Sequence, residues 1–174
     1  MKKIILVVVV IILALLAMLI TPYNNMVKKD ENCTNAWANV ENAYQRRADL
    51  IPNLVKTVQG AANYEKGTLE AVINARSKAT SVQIDPTNLT QENIAAFQQA
   101  QDQLSSALSR LMVVVERYPE LKANQNFLEL QSQLEGTENR IVVERKKFNE
   151  VVQKYNTSIR RFPNNIFAGM FGFD

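Results

Sequence analysis

The chain has 174 residues, with 20 Lys+Arg against 17 Asp+Glu, no His, one Cys, five Gly and five Pro. That composition excludes imidazole catalysis, the usual zinc sites and any internal disulfide or thiolate cluster, so neither a metal nor a cofactor is expected. Setting aside Lys2 and Lys3 leaves 18 basic against 17 acidic residues, and this near-neutral body, with aromatics at only 7% of the chain, argues against nucleic-acid binding.

The first predicted element is an unbroken run of 17 apolar residues, Ile4 to Ile20, close to the roughly 20 that cross a hydrocarbon core. A cleaved signal peptide would need small residues at a cleavage site, and Met18-Leu19-Ile20-Thr21-Pro22 supplies none. A lipoprotein anchor would need a cysteine near the end of the run, whereas Cys33 lies well beyond it. Residues 1–21 are therefore read as a retained, single-pass membrane anchor, with the lipid bilayer as the first partner. Lys2 and Lys3 flank one side closely, and Lys28 and Lys29 stand further off on the other beside Asp30 and Glu31. This asymmetry favours the N-terminus inside and the body outside the cytoplasm.

Residues 22–163 read as a helical body, because Gly and Pro only punctuate long stretches of Ala, Leu, Gln, Glu, Lys and Arg. A long helix is predicted over about 22–60, with a kink or break near Asp49 to Pro52, where proline removes a backbone donor. Its apolar stripe takes steps of three and four through Met26, Cys33, Trp37, Val40, Tyr44, Ile51, Leu54 and Val58. A short helix follows over about 65–82, then a loop through Asp85-Pro86-Thr87. A third helix spans about 90–117 with Phe97, Leu104, Leu108, Leu111 and Val115 in line and Gln101 as a polar interruption. After a turn at Pro119 the last helix runs to about 162, on the order of 60 Å at about 1.5 Å per residue. Its seam is the most regular: Phe127, Leu134, Ile141, Phe148, Tyr155 and Phe162 fall seven apart. Helices with one apolar stripe each must bury it against one another, and a period near 3.5 favours shallow crossings. The fold class expected is all-α: a transmembrane helix followed by an elongated antiparallel up-and-down four-helix bundle.

Polar residues interrupt the stripes at Asp30, Arg47, Arg76 and Glu144. Charge on an apolar stripe is costly unless paired. Arg47, Arg76 and Glu144 therefore form a candidate polar core layer, with Arg47 or Arg76 expected to pair with Glu144. Such a layer fixes helix register. The sharper alternative, a carboxylate with an arginine clamp acting as an enzyme or regulatory site, needs convergent groups that the sequence does not supply, and no catalytic residue is assigned. Cys33 beside Trp37 reads as a small buried hydrophobe, with no His to activate its thiol. Gly136 reads as a tolerated or close-packed helix position. Residues 164–174 form a Phe-rich tail: together with Phe162, the residues Ile166, Phe167, Met170, Phe171 and Phe173 make a candidate interaction segment, either capping the bundle or offering an apolar patch to a membrane or partner. Gly169 and Gly172 argue against regular helix there.

These stretches also resemble the LemA family, bacterial single-span membrane proteins with a helical body. The resemblance rests on Tyr23 to Val27, Ala36-Trp37, the run Arg46 to Gly60 with its Ala48-Asp49-Leu50-Ile51-Pro52-Asn53-Leu54-Val55 core, Glu65 to Glu70, Ala75-Arg76, Tyr118 to Asn124, and Leu134 to Ile141. It continues through Phe148-Asn149, Tyr155-Asn156 and Phe162-Pro163, so it covers nearly the whole chain in order. It implies a four-helix body at the bacterial inner membrane and no established reaction. Where the family commonly has a small residue, this chain has Glu144, so a Glu144-centred site would be local to it. The function expected is a membrane-anchored scaffold or adaptor that binds a membrane-associated protein or itself through Arg46 to Gly60 or through Phe162 to Phe173. The alternative is a self-assembling membrane-organising protein.

Overall fold

A computed structural model describes residues 2–61, 66–86 and 88–173, without the side chains at 11, 12, 14–16, 18, 19 and 61. Glu65, the expected start of the short helix, and Thr87 of the expected loop lie outside the described residues. Among those described the chain is all-α, without strands: α1 Lys2–Ala61, α2 Lys66–Ser81, α3 Gln91–Val115, α4 Pro119–Lys122, α5 Gln125–Arg160 and α6 Asn164–Phe171.

Three expectations are corrected by the helix boundaries. The apolar run and the first long helix are one element, since α1 continues through Pro22. It also continues through Pro52, so of the kink or break expected there the break does not occur. Proline lacks its own N–H bond and crowds the carbonyl four residues back, but the N–H groups of its neighbours are still there to make their i→i−4 bonds. At Pro52 the released acceptor is the carbonyl of Ala48, and it receives Nε–H of Arg76 on α2 at 2.8 Å. A side chain from the neighbouring helix thus replaces the donor that proline lacks. The third correction concerns the tail, where α6 forms despite Gly169. Gly172 closes it in the left-handed region at φ 74°, donating its N–H to Ala168 O, a conformation that glycine adopts without a Cβ penalty.

Helix starts follow side-chain chemistry. The hydroxyl of Thr90 accepts from Asn93 N at 3.2 Å to begin α3, and Asn124 Oδ1 accepts from Phe127 N at 3.1 Å to begin α5. The turn expected at Pro119 contains the short helix α4, with proline at its first position.

Two compact units emerge, Trp37–Arg145 and Met1–Ala36 with Lys146–Asp174. In the unit Trp37–Arg145, one apolar core draws Ile51, Leu54 and Val58 from α1, Leu69 and Val72 from α2, Leu104, Leu108 and Leu111 from α3, Leu121 from α4, and Phe127 and Leu134 from α5. Trp37 and Tyr44 of α1 each meet the ring of Phe97 on α3 edge to face, at centroid distances of 5.3 and 5.2 Å. The other unit has its own core of Met26, Cys33, Tyr155, Ile159, Phe167 and Ala168.

Among the described residues no helix is long and apolar enough to cross a membrane. Seven of the 17 side chains of the expected span lie outside that set; of the described ones, Ile4, Leu6, Val10, Leu13 and Ile20 are exposed.

Candidate functional site

Two places in the fold hold the sequence-derived candidates. The first is a polar layer inside the unit Trp37–Arg145. Arg47 sits on the buried face of α1 at 2% exposure, because it occupies the same stripe as Tyr44, Ile51 and Leu54. Its guanidinium is held from two other helices. On α3, Nη2 donates to the carbonyl and to Oε1 of Gln101 at 3.1 and 2.9 Å, and Nη1 donates to Ser105 Oγ at 2.7 Å. On α5, Nη1 pairs with Glu138 Oε2 at 2.9 Å. Gln101 extends the layer by donating Nε2 to Ala79 O of α2 at 3.1 Å. The face of Tyr44 lies 5.1 Å from the guanidinium carbon. Nε of Arg47 is buried and makes no hydrogen bond among the described residues.

Electrostatically the layer is balanced at its rim. Burial raises the Tyr44 phenol above its ordinary range, Arg145 and Arg47 pull it down, Glu138 pushes it up, and a hydrogen bond with Arg145 lowers it further. The carboxylate that meets Arg47 is half exposed, with 54% of the Glu138 side chain accessible. Charge inside the core is therefore compensated by a group that keeps part of its own hydration.

The three candidate layer residues have distinct places. Arg47 centres the layer. Arg76 is half-buried and serves the Ala48 carbonyl. Glu144 is buried on α5, roughly 9 Å along the helix from Glu138. Gln101, Ser105 and Glu138, the residues that bind Arg47, are outside the sequence-derived set. Gln101 carried a signal as the polar break in the α3 stripe; Glu138 carried none, since an exposed glutamate on a helix is unremarkable in sequence. Amide, hydroxyl and carboxylate groups around a guanidinium hold helices in register. Among the described residues, no three Cys, Asp or Glu side chains gather as a metal site.

The second place is the C-terminal helix. One face of α6 is packed down: Phe167 and Ala168 are buried with Met26, Cys33, Tyr155 and Ile159. Phe171 and Phe173 lie edge to face against Tyr23, at 5.0 and 5.8 Å between centroids. The opposite side is open, with Ile166 52% and Met170 66% exposed, and Phe162, before the helix begins, is 81% exposed. One face of α6 is thus packed against Met26, Cys33, Tyr155 and Ile159, and the other leaves Ile166 and Met170 exposed. Phe162 leaves the α5 seam because that helix ends at Arg160, so the seven-residue period stops before reaching it. Cys33, beneath α6, is a buried free thiol raised to about 11 by burial and then by Asp30. The run Arg46 to Gly60 is divided between core and surface: Arg47, Ala48, Ile51, Leu54, Val55 and Val58 are buried, while Arg46, Asp49, Asn53, Lys56, Gln59 and Gly60 are exposed.

An all-helical protein with a long N-terminal helix, apolar at its start, and a buried arginine layer in its body is the class these features define. The LemA family model matches residues 36–174, and the chain belongs to that family. It is 23% identical over 145 residues to Protein LemA of Metamycoplasma hominis, covering 83% of this chain and 63% of that protein. It is 27% identical over 175 aligned positions to Magnetosome protein MamQ 2 of Paramagnetospirillum magneticum, covering 91% of this chain and 64% of the relative. Identity to Magnetosome protein MamQ of Magnetospirillum gryphiswaldense is 26%, again covering 91% and 64%. The chain spans a little under two thirds of the length of these curated relatives.

Proposed function

We propose that the protein is a membrane-anchored, non-enzymatic scaffold or adaptor, in which the N-terminal part of α1 crosses the bacterial inner membrane once and the body stands outside the cytoplasm as an antiparallel up-and-down four-helix bundle. The observation that carries this reading is the continuity of α1: a single helix bears the 17-residue apolar run Ile4 to Ile20 and, further on, the Arg47 layer and core of the body. Arg47 reaching α3 and α5, and Arg76 reaching α1 from α2, support a bundle whose helices are tied by polar as well as apolar contacts. A guanidinium held by Gln101, Ser105 and Glu138 supports a register-fixing role over a catalytic one.

The body's exposed positions are where a partner would dock. Arg46, Asn53 and Lys56 on α1 and Val142 and Val143 on α5 are accessible. A photo-crosslinking amino acid at Asn53 or Val142 in the full membrane-inserted chain should trap one defined membrane-associated protein. Crosslinks only to further copies of the chain, accompanied by large assemblies in vesicles, would favour the membrane-organising alternative. Absence of any crosslink at both positions would count against the adaptor reading.

A further inference from the structure

The apolar run is short for its proposed task. Its 17 residues rise about 26 Å as helix, against about 30 Å of hydrocarbon. The remaining few ångströms fall at Thr21 to Tyr23, and that is where the end of α6 arrives. Phe171 and Phe173 stack on Tyr23, while the start of α6, at Asn164, shares a groove with Lys29, Lys154 and Arg161. Lys29 lies about 9 Å beyond Tyr23 along α1. The short helix therefore runs alongside α1 toward the apolar run, with Met170 and Phe171 nearest to it, Ile166 behind them and Phe162 furthest away. Its packed face is occupied by Phe167 and Ala168, and the open face carries Ile166 and Met170 one turn apart.

Charge follows the same axis. The groove at the start of α6 is lined by Lys29, Lys154 and Arg161 with Gln153, Thr157 and Asn164, and no carboxylate lines it. A neighbouring groove adds Arg160, again without a carboxylate. Apolar residues continuous with the end of a span, followed within about 10 Å by cations, match the order of hydrocarbon and phosphate in a leaflet, whose headgroup layer is about 5–7 Å deep. Long basic side chains can bridge the remainder.

We propose that α6 is a second membrane contact, which lays Ile166 and Met170 into the bilayer surface around the exit of α1, with Lys29, Lys154 and Arg161 taking the phosphates of anionic lipids. This rests on the anchored reading of α1. It deepens that reading by assigning the Phe-rich segment to lipid rather than to a protein partner. Each basic residue near an anionic surface strengthens docking about fivefold.

The test uses the full chain with Cys33→Ser, reconstituted in vesicles of phosphatidylcholine with phosphatidylglycerol. Single cysteines at Leu13, Phe162, Ile166, Met170 and Ser106 carry a nitroxide whose collisions with oxygen and with a water-soluble nickel chelate report depth. Lipid exposure should be greatest at Leu13, then Met170, then Ile166, with Phe162 shallow and Ser106 aqueous. Arg161→Gln, or phosphatidylcholine alone, should make Met170 more accessible to the chelate. Leu13 in lipid with Ile166 and Met170 as aqueous as Ser106 would overturn the proposal and leave the anchor standing. Shielding of Met170 from both collision partners would mean that protein covers α6, which also overturns it. An aqueous Leu13 would sink the anchored reading itself. Identical depths with and without phosphatidylglycerol would remove the phosphate assignment.

Discussion

Arg47 carries the largest single consequence at the scale of residues. Its guanidinium has left water for a site furnished by Gln101, Ser105 and Glu138, and truncation leaves Gln101 acceptors buried without their donor. Arg47→Met should cost about 2–4 kcal/mol in urea unfolding. Glu138→Gln should cost under about 1 kcal/mol, because a carboxylate that keeps half its hydration loses little when neutralised. Equal costs for the two would contradict the layer as described. Cys33 gives a pH-dependent prediction. Burial pushes its thiol up to about 11 in the folded chain, from an ordinary value of 9.0, so the unfolded state loses its proton first. The stability contributed by burying the neutral thiol is fully present below pH 9 and lost as pH rises toward 11. Alkylation of the native protein at pH 8 should be far slower than in denaturant; matching rates would show that the thiol is not buried.

At the scale of elements, Pro52 and Arg76 act as one device joining α1 and α2. Arg76→Met should destabilise by about 1–3 kcal/mol, since it orphans the Ala48 carbonyl. In a Pro52→Ala background the same change should cost clearly less, because the alanine N–H can bond that carbonyl as in any helix. Additive effects would refute the coupling. Gly136 lies in the interior of α5, and a Cβ built on it meets nothing within 4 Å, so it is not a close-packed position. Gly136→Ala should therefore stabilise by about 0.5–1 kcal/mol, read from the thermal midpoint. Much of this level was legible in sequence. The seam Phe127, Leu134, Ile141, Phe148 and Tyr155 is buried as its period requires, because periodicity alone decides which face of a helix meets its neighbours. Periodicity does not say which residue meets which across helices. Hence Glu138 and the Pro52–Arg76 match needed three dimensions, whereas Gln101 was visible only as an interruption. The continuity of α1 through two prolines was also hidden, since it depends at Pro52 on a donor from another element.

In the whole molecule, α1 and α5 both pass through two compact units. One holds the buried arginine layer, and the other holds the apolar start of α1 together with α6. In the proposed topology α1 carries its first residues and the body to opposite sides of a membrane. The direct measurement replaces Cys33 with Ser, places a single cysteine at exposed Lys3 or at exposed Asn88, between α2 and α3, and treats intact bacterial cells with a membrane-impermeant maleimide. With the proposed topology, the Asn88 variant is labelled in intact cells and the Lys3 variant only after permeabilisation. The reverse pattern would keep the span but contradict the orientation read from Lys2 and Lys3, and equal labelling of both variants in intact cells would contradict a membrane-spanning α1.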